Sequence, residues 1–191
     1  MKFTVNMVLR HTWLEKMYEA QNEEDRKCIS KRIEELLGET REYQSAVNLE
    51  NLSCVLSGIA MCEVLGKERF LPSAEAYLFP VCEEKRKQMN RMASLPGSFG
   101  FLSRLVPSVM CMGNGSGWHT EKTERTESQF GFDTTRCIYN TLCRKYGVVE
   151  VGCLFCRTDE IVYGSMPGIR MVRTGTLCRG DEKCDFRFFR G

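Results

Sequence analysis

The chain has 191 residues and a net charge of +2, with 27 lysines and arginines against 25 aspartates and glutamates; without a basic stripe or an arginine-rich run it does not read as a nucleic-acid binder. The length suits a single domain over 1–191, with the apolar and charged fractions of an ordinary globular protein. No stretch is long and apolar enough to suggest a membrane span or a membrane partner. Arg10 and His11 interrupt the apolar start before any small-residue cleavage site, against a signal peptide, and eleven cysteines, an odd number, fit free thiols in a reducing cytoplasm.

The first part, 1–110, reads as helices. Trp13 and Met17 stand one helical turn apart. Cys28, Ile29, Ile33, Leu36 and Leu37 recur at steps of three and four, with Gly38 as a stop. Val47, Leu52, Val55, Leu56, Ile59 and Leu65 mark a longer helix closed by Gly66, and its wide apolar face makes it the central one. Ser73 is placed to cap the next helix, with Pro80 near its start and Leu95-Pro96-Gly97 at its end. A short helix over Phe101–Val106 is expected to stop at Pro107. Cys28, Cys54, Cys62 and Cys82 fall in helical patterns and read as small buried hydrophobes.

The second part, 111–191, carries the sheet. Gly113-Asn114-Gly115-Ser116-Gly117 is a flexible turn; no Gly-Lys-Ser/Thr follows, so it is not a phosphate loop. Thr126, Ser128, Phe130 and Phe132 alternate as a strand within 123–133. Thr134 or Thr135 is placed to cap a helix with Cys137, Ile138, Leu142 and Tyr146, ended by Gly147. The run 148–155 fits strand or helix. A strand over 169–178 turns through 179–183 into the last strand, where Cys184, Phe186 and Phe188 face one way and Asp185, Arg187 and Phe189 the other. The fold class is α+β: N-terminal helices packed on a C-terminal, mostly antiparallel sheet that ends in a β-hairpin.

Candidate chemistry gathers in the last third. Cys184, on a face with two phenylalanines beside a turn, is a candidate nucleophile or a small core residue. Cys156 and Asp159, three apart, share a face if helical, so Asp159 can act on a neighbouring group. Arg173 and Arg187 are able to clamp a carboxylate, with Thr176 on the same strand as Arg173. His119, after the glycine turn, is a candidate base or a plain loop residue. Cys153 and Cys156 have zinc-ligand spacing but no matching second pair, which leaves zinc possible and no cofactor expected.

The series Cys137, Cys156-x-x-Asp159, Arg173-Thr174-Gly175-Thr176, Gly180-Asp181 and Cys184-Asp185-Phe186-Arg187-Phe188 resembles the L-2-amino-thiazoline-4-carboxylic acid hydrolase family over about 125–190. The resemblance implies a hydrolase of a small-molecule substrate, acting on a carbon–nitrogen bond of a cyclic amidine and opening 2-aminothiazoline-4-carboxylate to N-carbamoylcysteine. Cys184 is then the first choice of nucleophile, with Cys156 or Cys137 second, the cation supplied by Arg173 or Arg187, and Asp159 as acid or base beside Asp185. A direct variant has Asp159 activate water. The ending also has a likeness to vinyl-reductase-type domains, which supports a second reading, a non-catalytic small-molecule- or metal-binding domain. A third reading couples Cys178 and Cys184 as a redox pair.

Overall fold

A computed structural model describes residues 1–191, and two compact units make up the chain. The first unit holds Met1–Phe79 and Ile138–Leu154. Helix α1, Val5–Arg10, starts where the Thr4 hydroxyl accepts the Met7 N–H, and α2 covers Glu15–Glu19. Asn22 caps α3, Glu23–Glu39, by accepting the Asp25 N–H at 2.8 Å, with Glu23, Glu24 and Asp25 favourably placed at the positive end of the helix dipole. Gly38 does not stop α3. The helix runs one residue further, to Glu39, and its C-cap Thr40 donates its hydroxyl to the Leu36 carbonyl at 2.8 Å.

Helix α4, Leu49–Leu65, is the centre of this unit. It is buried nearly all round, packs on α1, α3 and α7 (Ile138–Lys145), and ends at Gly66 with φ of 79°, a backbone conformation that favours glycine. Gly147, also at positive φ, follows α7.

The second unit holds Pro80–Cys137 and Phe155–Gly191. Helix α5, Lys67–Ala93, passes without interruption through Ser73 and Pro80, where the sequence suggests a start. A proline inside a helix frees the carbonyl four residues earlier. Pro72 and Pro80 both face solvent, as do Glu68 and Ala76, so the freed carbonyls meet water. Helix α6, Ser98–Cys111, likewise continues through Pro107, which is buried.

The sheet has four strands in the order β1-β2-β4-β3, all antiparallel, with β1 His119–Lys122, β2 Gln129–Arg136, β3 Ile169–Arg173 and β4 Cys184–Arg190. Strand β1 falls where the sequence reads as loop. Thr126 and Ser128 lie in the turn before β2 rather than on a strand, with the Thr126 hydroxyl accepting the Ser128 and Gln129 N–H groups. Thr134 and Thr135 belong to β2, not to a helix cap. The ambiguous 148–155 run is helical and enters α8, Val149–Tyr163. Strand β3 ends at Arg173, so Thr176 and Cys178 sit in a loop and a 3₁₀ turn, Leu177–Arg179.

The alternation in β4 is as expected: Cys184, Phe186 and Phe188 are buried. Phe130 stacks on Phe188 at 4.8 Å and Phe132 on Phe186 at 4.7 Å, while Phe99 of α6 meets Phe130 edge-on at 5.3 Å. This aromatic ladder is the core of the unit. On the opposite face Asp133 pairs with Lys183 at 2.6 Å and with Arg187 at 2.7 Å. Arg187 reaches it by lying across Gly131, where a Cβ would come within 2.3 Å of the Phe186 carbonyl oxygen. Gly131→Ala is expected to cost about 2 kcal/mol by overpacking, measured as a lower urea midpoint at an unchanged slope.

Candidate active site

Helix α8 buries Val151, Leu154, Phe155, Thr158 and Val162 along one stripe. Cys156, Asp159, Glu160 and Tyr163 fall at i, i+3, i+4 and i+7 on another stripe. Arg173, the last residue of β3, meets that stripe. Arg173 lies directly across from Phe186 in the β3–β4 register and so shares the face that carries Cys184. Its guanidinium sits 5.1 Å from the Phe186 ring centre.

Three hydrogen bonds from both terminal nitrogens hold the Arg173 fork. Nη1 donates to Asp159 Oδ2 at 3.1 Å, and Nη2 donates to Glu160 Oε1 at 2.7 Å and to the Cys156 carbonyl at 3.0 Å. The Arg173 side chain is 3% exposed, whereas Asp159 and Glu160 keep 38% and 46%. Arg179, 62% exposed, stands 3.7 Å from Glu160. A buried cation therefore holds two carboxylates that open to solvent, with a second cation at the rim.

Three sulfurs adjoin this ion cluster. The Cys156 thiol hydrogen-bonds with that of Cys178, and this bond, together with burial, pushes Cys156 far above the ordinary thiol range. Cys184 Sγ accepts the Leu177 N–H at 3.3 Å. Burial pushes Cys184 up to about 11, against the Leu177 N–H and the Arg173 charge, which act to lower it. Both groups are neutral thiols at neutral pH. Asp159 moves the other way from a typical surface carboxylate. Desolvation raises it to about 6, with Arg173 opposing. Because Asp159 retains part of its surface, the desolvation is crowding by Cys156, Arg173, Glu160 and Tyr163 rather than complete exclusion of water. Its charge is felt by Cys82 of α5 and by Tyr163.

The structure thus brings together Cys156, Asp159, Arg173 and Cys184 from the expected set. It adds Glu160, Cys178 and Arg179. Glu160 was legible as the residue four after Cys156 on the same helical face; Arg179 had no signal beyond its place in the turn before Cys184. Other expected residues stand elsewhere. Asp185 points away from Cys184 and takes the Thr174 N–H at 2.8 Å, the Gly175 N–H at 2.6 Å and the Thr174 hydroxyl. Burial acts to raise Asp185, but these donors outweigh it and hold the carboxyl low, so it pins the loop after β3. Arg187 is tied to Asp133 and to the Phe132 and Phe186 carbonyls on the other face. Thr176 is buried and its N–H donates to Asp181 at 2.7 Å.

His119 is exposed on β1, bonded to Glu121 at 3.1 Å, at the opposite sheet edge from β3 and about 14 Å away by strand spacing. Cys137 is buried just past β2, beyond Thr134, the residue opposite Cys184. The Cys178 thiol bonds with that of Cys156, and Cys178 and Cys184 are both free thiols. No three His, Cys, Asp or Glu side chains stand close enough to hold a metal ion. Two surface hollows lie elsewhere, one on α6 and one beside Tyr18 and Arg26.

A family model described as L-2-amino-thiazoline-4-carboxylic acid hydrolase matches residues 48–188. The match takes in every element from α4 to most of β4, and begins far earlier than the 125–190 stretch that carries the motifs. No curated protein and no solved structure matches the chain.

Proposed function

This chain belongs to the L-2-amino-thiazoline-4-carboxylic acid hydrolase family, and we propose that it adds water to the amidine carbon of a small, carboxylate-bearing cyclic amidine, with Asp159 as the general base. The observation that carries this reading is a partly exposed carboxyl, poised near neutrality at about 6 and fixed by a buried arginine. A base of that strength is mostly ionised at pH 7 and, once it has taken a proton from water, is acid enough to return it.

Atom balance fixes which bond opens. Water oxygen joins the amidine carbon and ends as the carbonyl of a carbamoyl group. For N-carbamoylcysteine to result, both carbon–nitrogen bonds survive and the ring carbon–sulfur bond breaks, its electron pair leaving with sulfur as a thiolate. The carbon–nitrogen cleavage expected from the sequence therefore does not suit that product. Asp159 takes one proton from water and delivers it to the departing sulfur, and the second water proton passes to solvent as the carbonyl forms on the protonated amidine. Asp159 and Glu160 suit the cationic amidine, and Arg179, with only a 3.7 Å contact to Glu160, suits the substrate carboxylate. Arg173 is committed to Asp159, Glu160 and the Cys156 carbonyl, and acts as a positioning residue.

The alternative in which Cys184 attacks requires a thiolate. The Cys184 thiol, at about 11 and turned into the core, is a poor source of one. The deciding experiment supplies 2-aminothiazoline-4-carboxylate and follows thiol release with mass detection of the carbamoyl product. Cys184→Ser is expected to keep turnover within about threefold, and loss by two orders of magnitude with a covalent adduct in the wild type would transfer the role to the thiol. Arg179→Ala is expected to raise KM about tenfold with kcat little changed; an unchanged KM removes Arg179 from substrate binding. A folded protein that opens neither this ring nor related cyclic amidines overturns the proposal.

A further inference from the structure

Helix α6 carries an apolar surface that the hydrolase reading does not use. Its inner side buries Phe99, Leu102 and Pro107. Its outer side exposes Phe101 by 55%, Leu105 by 41%, Val109 by 51% and Met112 by 70%, and Leu95 just before the helix by 61%. Phe101, Leu105 and Val109 are spaced by four and Met112 follows by three, so they form one ridge along about 16 Å of helix. A helix apolar on all sides is normally covered on all sides.

Charge around the ridge has one sign. From Lys85 to Thr120 the sequence has no aspartate or glutamate. Arg86 and Lys87 are paired within α5 to Glu83 and Glu84. Arg104, in contrast, lies exposed between Phe101 and Leu105, where it lines an open hollow of about 620 Å³ with Gly97, Gly100 and Ser108, and it makes no ion pair. Lys122 of β1 reaches the same helix and donates to the Ser108 hydroxyl at 3.0 Å. The next acidic residue, Glu121, points to the other side of β1 from Lys122 and bonds His119. Glu124 and Glu127 follow in the turn beyond that strand.

We propose that the α6 ridge is a docking surface for an anionic lipid membrane, with Leu95, Phe101, Leu105, Val109 and Met112 entering the acyl boundary while Arg104 and Lys122 meet the headgroup phosphates. The occupant must be apolar and negative together. A second copy of the chain would bring Arg104 against Arg104 across a two-fold axis, with no carboxylate on either face to relieve it. The large side chains of the ridge offer no hydrogen-bonding group, which suits a deformable apolar phase flanked by negative charge. Arginine and lysine stems extend along such a boundary with their charges outward. No helix is long and apolar enough to cross a membrane, so the association is peripheral.

Co-sedimentation of the full chain with vesicles tests this, using phosphatidylcholine alone and phosphatidylcholine with about 30% phosphatidylglycerol. Binding is expected only to the anionic vesicles and to weaken with salt. Arg104→Gln is expected to lower the partition constant about fivefold, the equivalent of about 1 kcal/mol per cation at the surface. Phe101→Glu with Leu105→Glu is expected to abolish binding, and because both positions are exposed the double variant should keep the wild-type circular dichroism and thermal midpoint. No sedimentation with anionic vesicles overturns the proposal. Equal binding by wild type and the double variant overturns it too. A dimer in sedimentation velocity that dissociates on Phe101→Glu assigns the ridge to a second copy, and capture of an acidic peptide without vesicle binding assigns it to a protein; either result replaces the membrane.

Discussion

Asp159→Asn is expected to lower kcat by about 10²- to 10⁴-fold, the usual contribution of a positioned acid–base group. The amide keeps the shape of the side chain and still accepts the Arg173 N–H, so thermal unfolding should move little. The pH profile supplies the sharper readout. Wild-type kcat/KM falls as pH drops through about 6, because desolvation holds Asp159 at that value and protonation removes the base. Above that limb the rate is flat while the Cys184 thiol, at about 11, stays neutral. In the asparagine variant the residual rate has no limb near 6. An acid limb that survives the substitution assigns the titration to another group and removes Asp159 from the proton path.

Arg173→Met combines a catalytic effect with a structural one. The guanidinium is 3% exposed and serves Asp159, Glu160 and the Cys156 carbonyl at once. Its removal leaves two adjacent carboxylates repelling each other and takes a second donor from the Cys156 carbonyl. Breaking a buried pair costs about 3–5 kcal/mol; the 38% and 46% exposure of the two acids lets water screen part of this, so about 2 kcal/mol is expected, or roughly 4–8 °C in Tm for a chain of this size. The cation also lowers Asp159. Without it the acid limb of the rate moves to higher pH. Arg173→Lys restores the charge but not the fork, and should return the limb towards 6 while recovering only part of the Tm. A variant that loses stability with its limb unmoved would show that Arg173 supports the fold without tuning the base.

Much of this was legible in the chain itself. The i, i+3 step from Cys156 to Asp159 anticipates a shared helical face, and period-two alternation anticipates that Cys184, Phe186 and Phe188 face inward while Asp185 and Arg187 face out. The helix start read near Pro80 and the stop read at Pro107 were wrong for one reason, while the stop read at Gly38 fell one residue short of the helix end. A breaker residue has only a local cost, and packing of the surrounding helix, or water at the freed carbonyl, offsets it. Strand β1 was missed because four residues beside a glycine turn have too little pattern to stand out.

Sequence alone determined the periodic elements, the inward set of β4 and the motif series that marks the family, since side-chain period and residue order are properties of the chain. Tertiary structure decided which charges meet. Arg173 and Arg187 lie at equivalent-looking places in neighbouring strands, yet one holds Asp159 and the other Asp133, because register puts them on opposite faces of the sheet. It also decided the protonation of Asp159 and the thiols, because desolvation depends on neighbours brought from three separate segments, and no spacing along the chain encodes that crowding.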